Sequence, residues 1–235
     1  MPYAMKRLTV NGVELATVDQ GTGPTILLVH GFPFDHTMWD SQIEALSERC
    51  RVVAPDLRGF GQSGATEGKV TMEQFADDLA ALLDALEIDE PIVFCGLSMG
   101  GYVAWPFWRK YGRRVRGLIL CDTRAAADPP QAAQGRLQTA ERVLGEGPGM
   151  LVETMIPRLF AESTRNDKAS LVESVRRVVL ATSVQGIAAA ARGMAERPDV
   201  TATLGQIGCP TLVIVGERDV ITTPDEMRSL AEAIP

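Results

Sequence analysis

Glycine stands two positions before and two positions after a serine in Gly96-Leu97-Ser98-Met99-Gly100, between an apolar run, Pro91-Ile92-Val93, and a helix-like segment, Tyr102 to Tyr111. A chain can pass from a buried strand into a helix at one residue only if the neighbours two positions away carry no side chains to collide. The spacing therefore predicts a strand-to-helix elbow that holds the Ser98 hydroxyl outward, within reach of a carbonyl carbon. Blandly, the same residues are a glycine-rich turn whose serine caps a helix. Three further segments weigh against that.

Thr25-Ile26-Leu27-Leu28-Val29 is apolar throughout and stops at His30-Gly31-Phe32-Pro33, the pattern of a buried parallel strand ending in a loop. Acyl transfer develops a negative oxygen, and two backbone N–H groups commonly hold it, one just after the nucleophile and one from such a loop. Those donors are assigned to Met99 and Phe32. A second apolar run, Thr211 to Val215, ends in Gly216-Glu217-Arg218-Asp219, which puts an acid after the serine in the order this chemistry uses. Asp219 is accordingly the candidate that would orient an imidazole; otherwise it is a surface or capping aspartate. The third segment, Val52 to Ser63, is a strand and glycine-punctuated loop in which Asp56 and Arg58 are placed for a structural ion pair or loop brace.

Elsewhere strands and helices alternate as in a doubly wound α/β sheet, with Val13 to Gln20 pairing antiparallel with Arg7 to Asn11 at one edge. A helix is expected over Thr37 to Arg49. Another, over Thr71 to Glu87, has a Thr71/Gln74 capping box, a Val70/Phe75 staple and an apolar face of Phe75, Leu79, Leu82, Leu83 and Leu86. Pro106 falls inside the helix after Ser98, where a lost donor should bend it and shift the floor of a pocket. From Ala125 to about Val200 strand signals vanish and helical spacing appears in Leu137 to Leu144, Met150 to Phe160 and Ala169 to Ala181. This is a helical cap between two core segments, 1–124 and 201–235, and Pro224 to Ile234 is a last helix. Met150, Leu151, Met155, Ile156, Leu159 and Phe160 are the cap's candidates for lining a pocket, Met155 and Phe160 foremost.

With 46% hydrophobic residues the chain can bury one large core, or a core plus a small cap, and a balance of 23 basic against 30 acidic residues gives −7. That charge argues against nucleic acid or an anionic membrane as partner. The start lacks a signal peptide's apolar stretch, so a cytoplasmic protein is expected. Cys50, Cys95, Cys121 and Cys209 fall singly, with no close pair in sequence, and read as reduced packed thiols; no metal-ligand spacing is present.

His30-Gly31-Phe32-Pro33, Asp56 to Ser63, Gly96 to Gly101 and Gly216 to Asp219, in this order, make the chain similar to the α/β-hydrolase superfamily from Lys6 onward. The run Leu118 to Asp128 resembles the 3-oxoadipate enol-lactonase and small-esterase branch. The resemblance implies an α/β-hydrolase fold, Ser98 as nucleophile, Asp219 as acid, His30, Phe32 and Met99 beside the substrate, and no cofactor. It also implies a histidine after the acid. The only histidines are His30 and His36, neither at that position, so the final strand, histidine loop and closing helix are expected to be missing from these 235 residues. The expected chemistry is cleavage of a small carboxylic ester or lactone through an acyl-enzyme, with enol-lactone hydrolysis the narrower alternative. A non-catalytic ligand-binding protein on the same fold is the alternative of another class.

Overall fold

The computed structural model describes residues 4–235. Residues 1–3, which the sequence assigns to the first core segment, lie outside the described residues. One seven-stranded sheet runs β1 (Met5–Val10), β2 (Val13–Gln20), β4 (Arg51–Pro55), β3 (Thr25–Val29), β5 (Ile92–Leu97), β6 (Val115–Cys121), β7 (Thr211–Ile214) in spatial order. β1 and β2 form an antiparallel hairpin in which Val10 faces Val13. Its turn, Asn11-Gly12, takes positive φ at both residues, 46° and 75°, as a two-residue hairpin turn requires. β2 meets β4 antiparallel, and the strands from β4 to β7 are parallel. The unbroken apolar runs are thereby explained, since a parallel sheet is covered on both faces and Leu27, Leu28, Val29, Val52, Val53 and Ala54 are all at most 1% exposed.

After β3 the chain steps to β4 on one side and then crosses to β5 on the other. Strand order reverses there, and in open α/β sheets the crevice outside the carboxyl ends of the strands at such a point receives ligands. The loops leaving β3 and β5 are the His30 loop and the Ser98 turn.

On one face α2 (Met72–Ala85) and α3 (Met99–Tyr111) pack into the main core. Burial of Phe75, Leu79, Leu82 and Leu83 along α2 contributes roughly 1.5–3 kcal/mol each. Thr71 caps α2 by accepting from the Gln74 N–H at 3.1 Å, which is one half of the expected capping box. The expected helix over Thr37 to Arg49 is instead a 3-10 turn, His36–Trp39, followed by α1 (Asp40–Leu46) on the opposite face. α3 runs on through Pro106, which is buried in the core and is not a cavity wall, so the expected shift of a pocket floor does not arise there.

Five helices separate β6 from β7: α4 (Pro130–Glu146), α5 (Gly149–Leu159), α6 (Glu162–Asp167), α7 (Ala169–Ala181) and α8 (Val184–Ala195). Ala140, Val143, Leu151, Val152, Val179, Ile187, Ala188 and Ala191 form their own cluster. α8 also gives Ala189, Ala190 and Met194 to the main core, so it belongs to both layers. α9 (Pro224–Glu232) follows β7, entered through a complete Thr223/Glu226 capping box. No single helix among the described residues is long and apolar enough to cross a membrane.

Two sequence expectations change in three dimensions. Asp56 and Arg58 do not pair with each other: Arg58 grips Asp78 through two bonds of 2.8 and 2.7 Å, while Asp56 takes the His36 Nδ1 at 2.7 Å. Both act as loop braces all the same. Cys95 and Cys121, distant in sequence, become neighbours because Cys95 is in register with Ile119 and Leu97 with Cys121, placing both thiols on one sheet face. Their hydrogen bond and burial push the Cys95 thiol up, and all four cysteines are free.

Candidate active site

Ser98 adopts φ 51°, ψ −109°, a backbone shape that a non-glycine residue keeps only when its surroundings force it. The forcing groups are visible. Its N–H donates to the Cys121 carbonyl at 2.9 Å, and its own carbonyl accepts from the Thr123 hydroxyl at 2.8 Å and the Gly101 N–H at 2.9 Å. A Cβ on Gly96 would lie 2.5 Å from the Gly100 carbonyl carbon, and one on Gly100 would strike the end of β3, so both glycines are required. The Ser98 side chain is half-buried, opens into a cavity of about 760 Å³, and makes no hydrogen bond among the described residues.

The loop after β3 closes on this turn because Gly31 has no side chain: a Cβ there would sit 2.7 Å from Leu97 and 3.6 Å from the Ser98 Cβ. Neither the Phe32 N–H nor the Met99 N–H has a hydrogen-bond partner among the described residues, while the Phe34 N–H turns back to the Gly31 carbonyl at 2.9 Å. One of these two free amides stands at the N-terminus of α3, whose dipole favours an anion, and the other lies in the loop that Gly31 lets close on the Ser98 turn.

Phe32, Met155, Leu159 and Phe160 line the cavity. Met150, Leu151 and Ile156 pack inside the cap instead. Two assignments need correction. Met99 is fully buried, its side chain in the main core, and it does not line the cavity. His30 is not a cavity wall: it is fully buried, its Nδ1 on the Gly31 carbonyl at 2.9 Å and its Nε2 accepting the Leu57 N–H at 3.0 Å. A ring engaged at both nitrogens, with burial holding its pKa down, is a neutral brace for two loops. His36 is likewise committed to Asp56 and does not line the cavity.

Asp219 lines the cavity, its Oδ1 accepting the Ile221 and Thr222 N–H groups at 2.6 and 2.8 Å. Beside it stands Asp122, at the end of β6 with φ 44°, a residue the sequence reading passed over. Its Oδ1 takes the Gly216 N–H at 3.1 Å, and Gly216 in turn accepts the Asp219 N–H at 3.0 Å through its carbonyl. Burial and the Asp219 charge push the Asp122 carboxyl up to about 6. The available signal was positional: an acid directly after a parallel strand shares the crevice with every other strand end. Thr123 was missed for the same reason.

Arg124, Arg136, Arg158 and Arg218 also face the cavity. Arg124 is held by both Glu226 oxygens, at 2.9 and 3.0 Å, and by the Ile221 carbonyl. Arg136 pairs with Asp128, which Arg197 also bonds at 2.8 Å while stacking 4.0 Å above the Tyr102 ring. Those two cavity cations are neutralised. Arg158 and Arg218 have no ion-pair partner among the described residues.

A serine at positive φ open to a cavity, unengaged amides on two loops and an acid after β7 come together at the strand ends of an α/β sheet. The alpha/beta hydrolase fold family model matches residues 24–235, and the chain belongs to that family. It is 31% identical over 229 residues to a 3-oxoadipate enol-lactonase of Acinetobacter baylyi, covering 97% of this chain and 84% of that one. Among solved structures it is similar to a malate-bound thermophilic esterase of Thermogutta terrifontis, 51% identical with TM-score 0.96 over 99% of this chain and 87% of that one. The enol-lactonase of Burkholderia xenovorans follows at 32% identity and TM-score 0.90, covering 97% and 88%.

Proposed function

We propose that this chain forms the body of a serine hydrolase that cleaves small carboxylic esters or lactones through an acyl-enzyme. The observation that carries the proposal is the Ser98 hydroxyl, which opens into the cavity without a partner from a backbone at positive φ, while the Phe32 and Met99 N–H groups are left unengaged. The Ser98 Oγ attacks the carbonyl carbon, and its proton passes to a base. The carbonyl oxygen becomes an anion held by the two N–H groups, the alkoxy group departs with the proton, and water then releases the acid by the same steps. Each amide donor is worth roughly 2.7–4 kcal/mol in the transition state. Asp219 orients the base. Both internal histidines are committed elsewhere, so we assign that role to a histidine carried by sequence after Pro235. No cofactor enters the scheme, and the substrate is a small molecule reached from the cytoplasm.

Enol-lactone hydrolysis is the narrower reading, favoured by the uncompensated Arg158 and Arg218 on the cavity wall, which suit a substrate bearing a carboxylate. Turnover of p-nitrophenyl butyrate by the protein extended past Pro235, with Ser98→Ala as control, tests the general reading. The expected loss on removing the hydroxyl is about 10⁶-fold in turnover. Equal rates in the two proteins would leave a ligand-binding protein on a hydrolase fold.

A further inference from the structure

Tyr102 borders the cavity one helical turn beyond Ser98 and takes no part in the acyl-transfer steps. Its N–H donates to the Ser98 carbonyl at 3.1 Å, so the turn that carries the nucleophile also fixes where this residue stands. Residues four apart on a helix share a face, with Cβ atoms about 5–6 Å apart, and long helical side chains lean back toward the N-terminus. The Tyr102 side chain therefore belongs to the Ser98 end of the cavity. Its ring is held there: the residue is 4% exposed, the Arg197 guanidinium stacks on it at 4.0 Å, and that of Arg136 stands 5.9 Å away. Its hydroxyl, however, makes no hydrogen bond among the described residues, and the oxygen is not sealed off as the equally unpartnered Trp39 Nε1 and Arg197 Nε are. What stays open of a buried residue on a cavity wall opens into the cavity.

A phenol so placed is free to donate or to accept, and the charge behind it decides between the two. Asp128 receives both Arg136 and Arg197, and one carboxylate offsets only one guanidinium. Arg197 is buried, its other contacts being the Met194 and Ala126 carbonyls at 3.2 Å each, and the positive charge left over lies against the Tyr102 ring. Such a wall favours a group that brings lone pairs over one that brings a proton. The acyl chain is the part of a substrate that a bond to Ser98 would hold in a fixed place against this hydroxyl. We propose that the Tyr102 hydroxyl is a specificity-determining contact, donating a hydrogen bond to an ether, keto or hydroxyl oxygen in the acyl chain, outside the scissile ester. The acyl-chain assignment rests on reading Ser98 as the nucleophile of a hydrolase; recognition of an acceptor oxygen does not.

The test exchanges one methylene for oxygen in the ligand and removes one oxygen from the protein. In the protein extended past Pro235, kcat/KM is measured for p-nitrophenyl pentanoate and for two ether counterparts, p-nitrophenyl ethoxyacetate and p-nitrophenyl 3-methoxypropanoate, with wild type and Tyr102→Phe. Phenylalanine keeps a ring beneath Arg197 and breaks no hydrogen bond within the protein, so Tm should stay in place. The ratio of ether ester to pentanoate should fall about two- to tenfold in the variant for at least one of the ethers, the size of one hydrogen bond exchanged with water. Taking the ratio cancels both the intrinsic reactivity of the esters and any general change in activity. A ratio that is unchanged for both ethers would overturn the proposal. The free acids give a readout that needs no turnover: in NMR titrations of the 235-residue chain, the affinity for the same ether acid relative to pentanoate should fall likewise in Tyr102→Phe. Relative affinities untouched by the substitution overturn it as well. A preference that follows the Tyr102 hydroxyl, with turnover indifferent to Ser98, would sink the hydrolase reading and leave Tyr102 as a ligand contact.

Discussion

At the residue scale, the ion pair beneath the His30 loop sets a pH window for stability. Asp56 is fully buried, with one oxygen on the His36 backbone N–H and Nδ1 and the other on the Gln62 N–H at 2.8 Å. Burial opposes both charges, yet the hydrogen bond and mutual attraction win, so the His36 pKa is raised and that of Asp56 lowered. A raised histidine stabilises fully below its ordinary 6.5, and its contribution is lost as pH rises through the folded value. A lowered aspartate stabilises above its ordinary 3.8, and its contribution is lost as pH falls through the folded value. The plateau therefore lies between about 4 and about 6.5. Thermal melts of wild type should show Tm falling above that plateau, and His36→Gln should be lower at pH 6 and nearly flat from there upward. A variant that keeps the alkaline decline would place its origin elsewhere. Asp56→Ala, which leaves a buried imidazole without its partner, should cost about 3–5 kcal/mol in denaturant titration.

At the element scale, α8 decides how the cap sits over the crevice. Its buried residues are mostly Ala and Gly, and at two points it touches the core backbone to backbone: Gly186 against Gly59, and Gly193 against the Val70 carbonyl. A Cβ on either glycine would strike main chain, which cannot swing aside as a long side chain can. Gly186→Ala and Gly193→Ala should each destabilise by about 1–3 kcal/mol, the usual cost of overpacking. They should also raise KM, because Met155 and Phe160 on the same cap border the cavity. Chemical denaturation and steady-state kinetics check both, and unchanged values would mean that the cap rides freely over the core. α8 also marks the boundary of what the sequence discloses. Apolar strands, the capped helix after Thr71 and the strand-to-helix turn at Ser98 are written in local periodicity and turn chemistry, and they stand where expected. The stretch from Val184 is built largely of Ala and Gly, and only the core backbone at Gly59 and Val70 reveals why larger side chains are excluded there. His30 and Asp122 illustrate the same limit. Whether a polar side chain faces a crevice or a neighbouring loop depends on strands distant in the sequence.

For the whole molecule, the relation between overall charge and cavity charge bears on substrate choice. The chain carries −7, which repels an anion at long range, yet its cavity wall presents Arg158 and Arg218 unpaired. The two effects act over different distances and so respond differently to salt. The screening length shrinks from about 30 Å at 0.01 M to about 8 Å at 0.15 M, so added salt removes the remote repulsion before it weakens a direct contact. For a monoester of a dicarboxylic acid, kcat/KM should therefore rise over that range, while p-nitrophenyl butyrate, being neutral, should stay flat. Arg158→Ala in the protein extended past Pro235 should raise KM for the carboxylated ester by about two- to fivefold, the size expected of an exposed charge pair, and leave the neutral ester unchanged. Combined with Arg218→Ala the loss should deepen. Arg136→Ala provides the contrast, for its charge is already committed to Asp128 and its removal should show up in stability before selectivity. Equal shifts for both esters in Arg158→Ala would mean that this arginine shapes the cavity without reading charge, and the lactone reading would lose its main support.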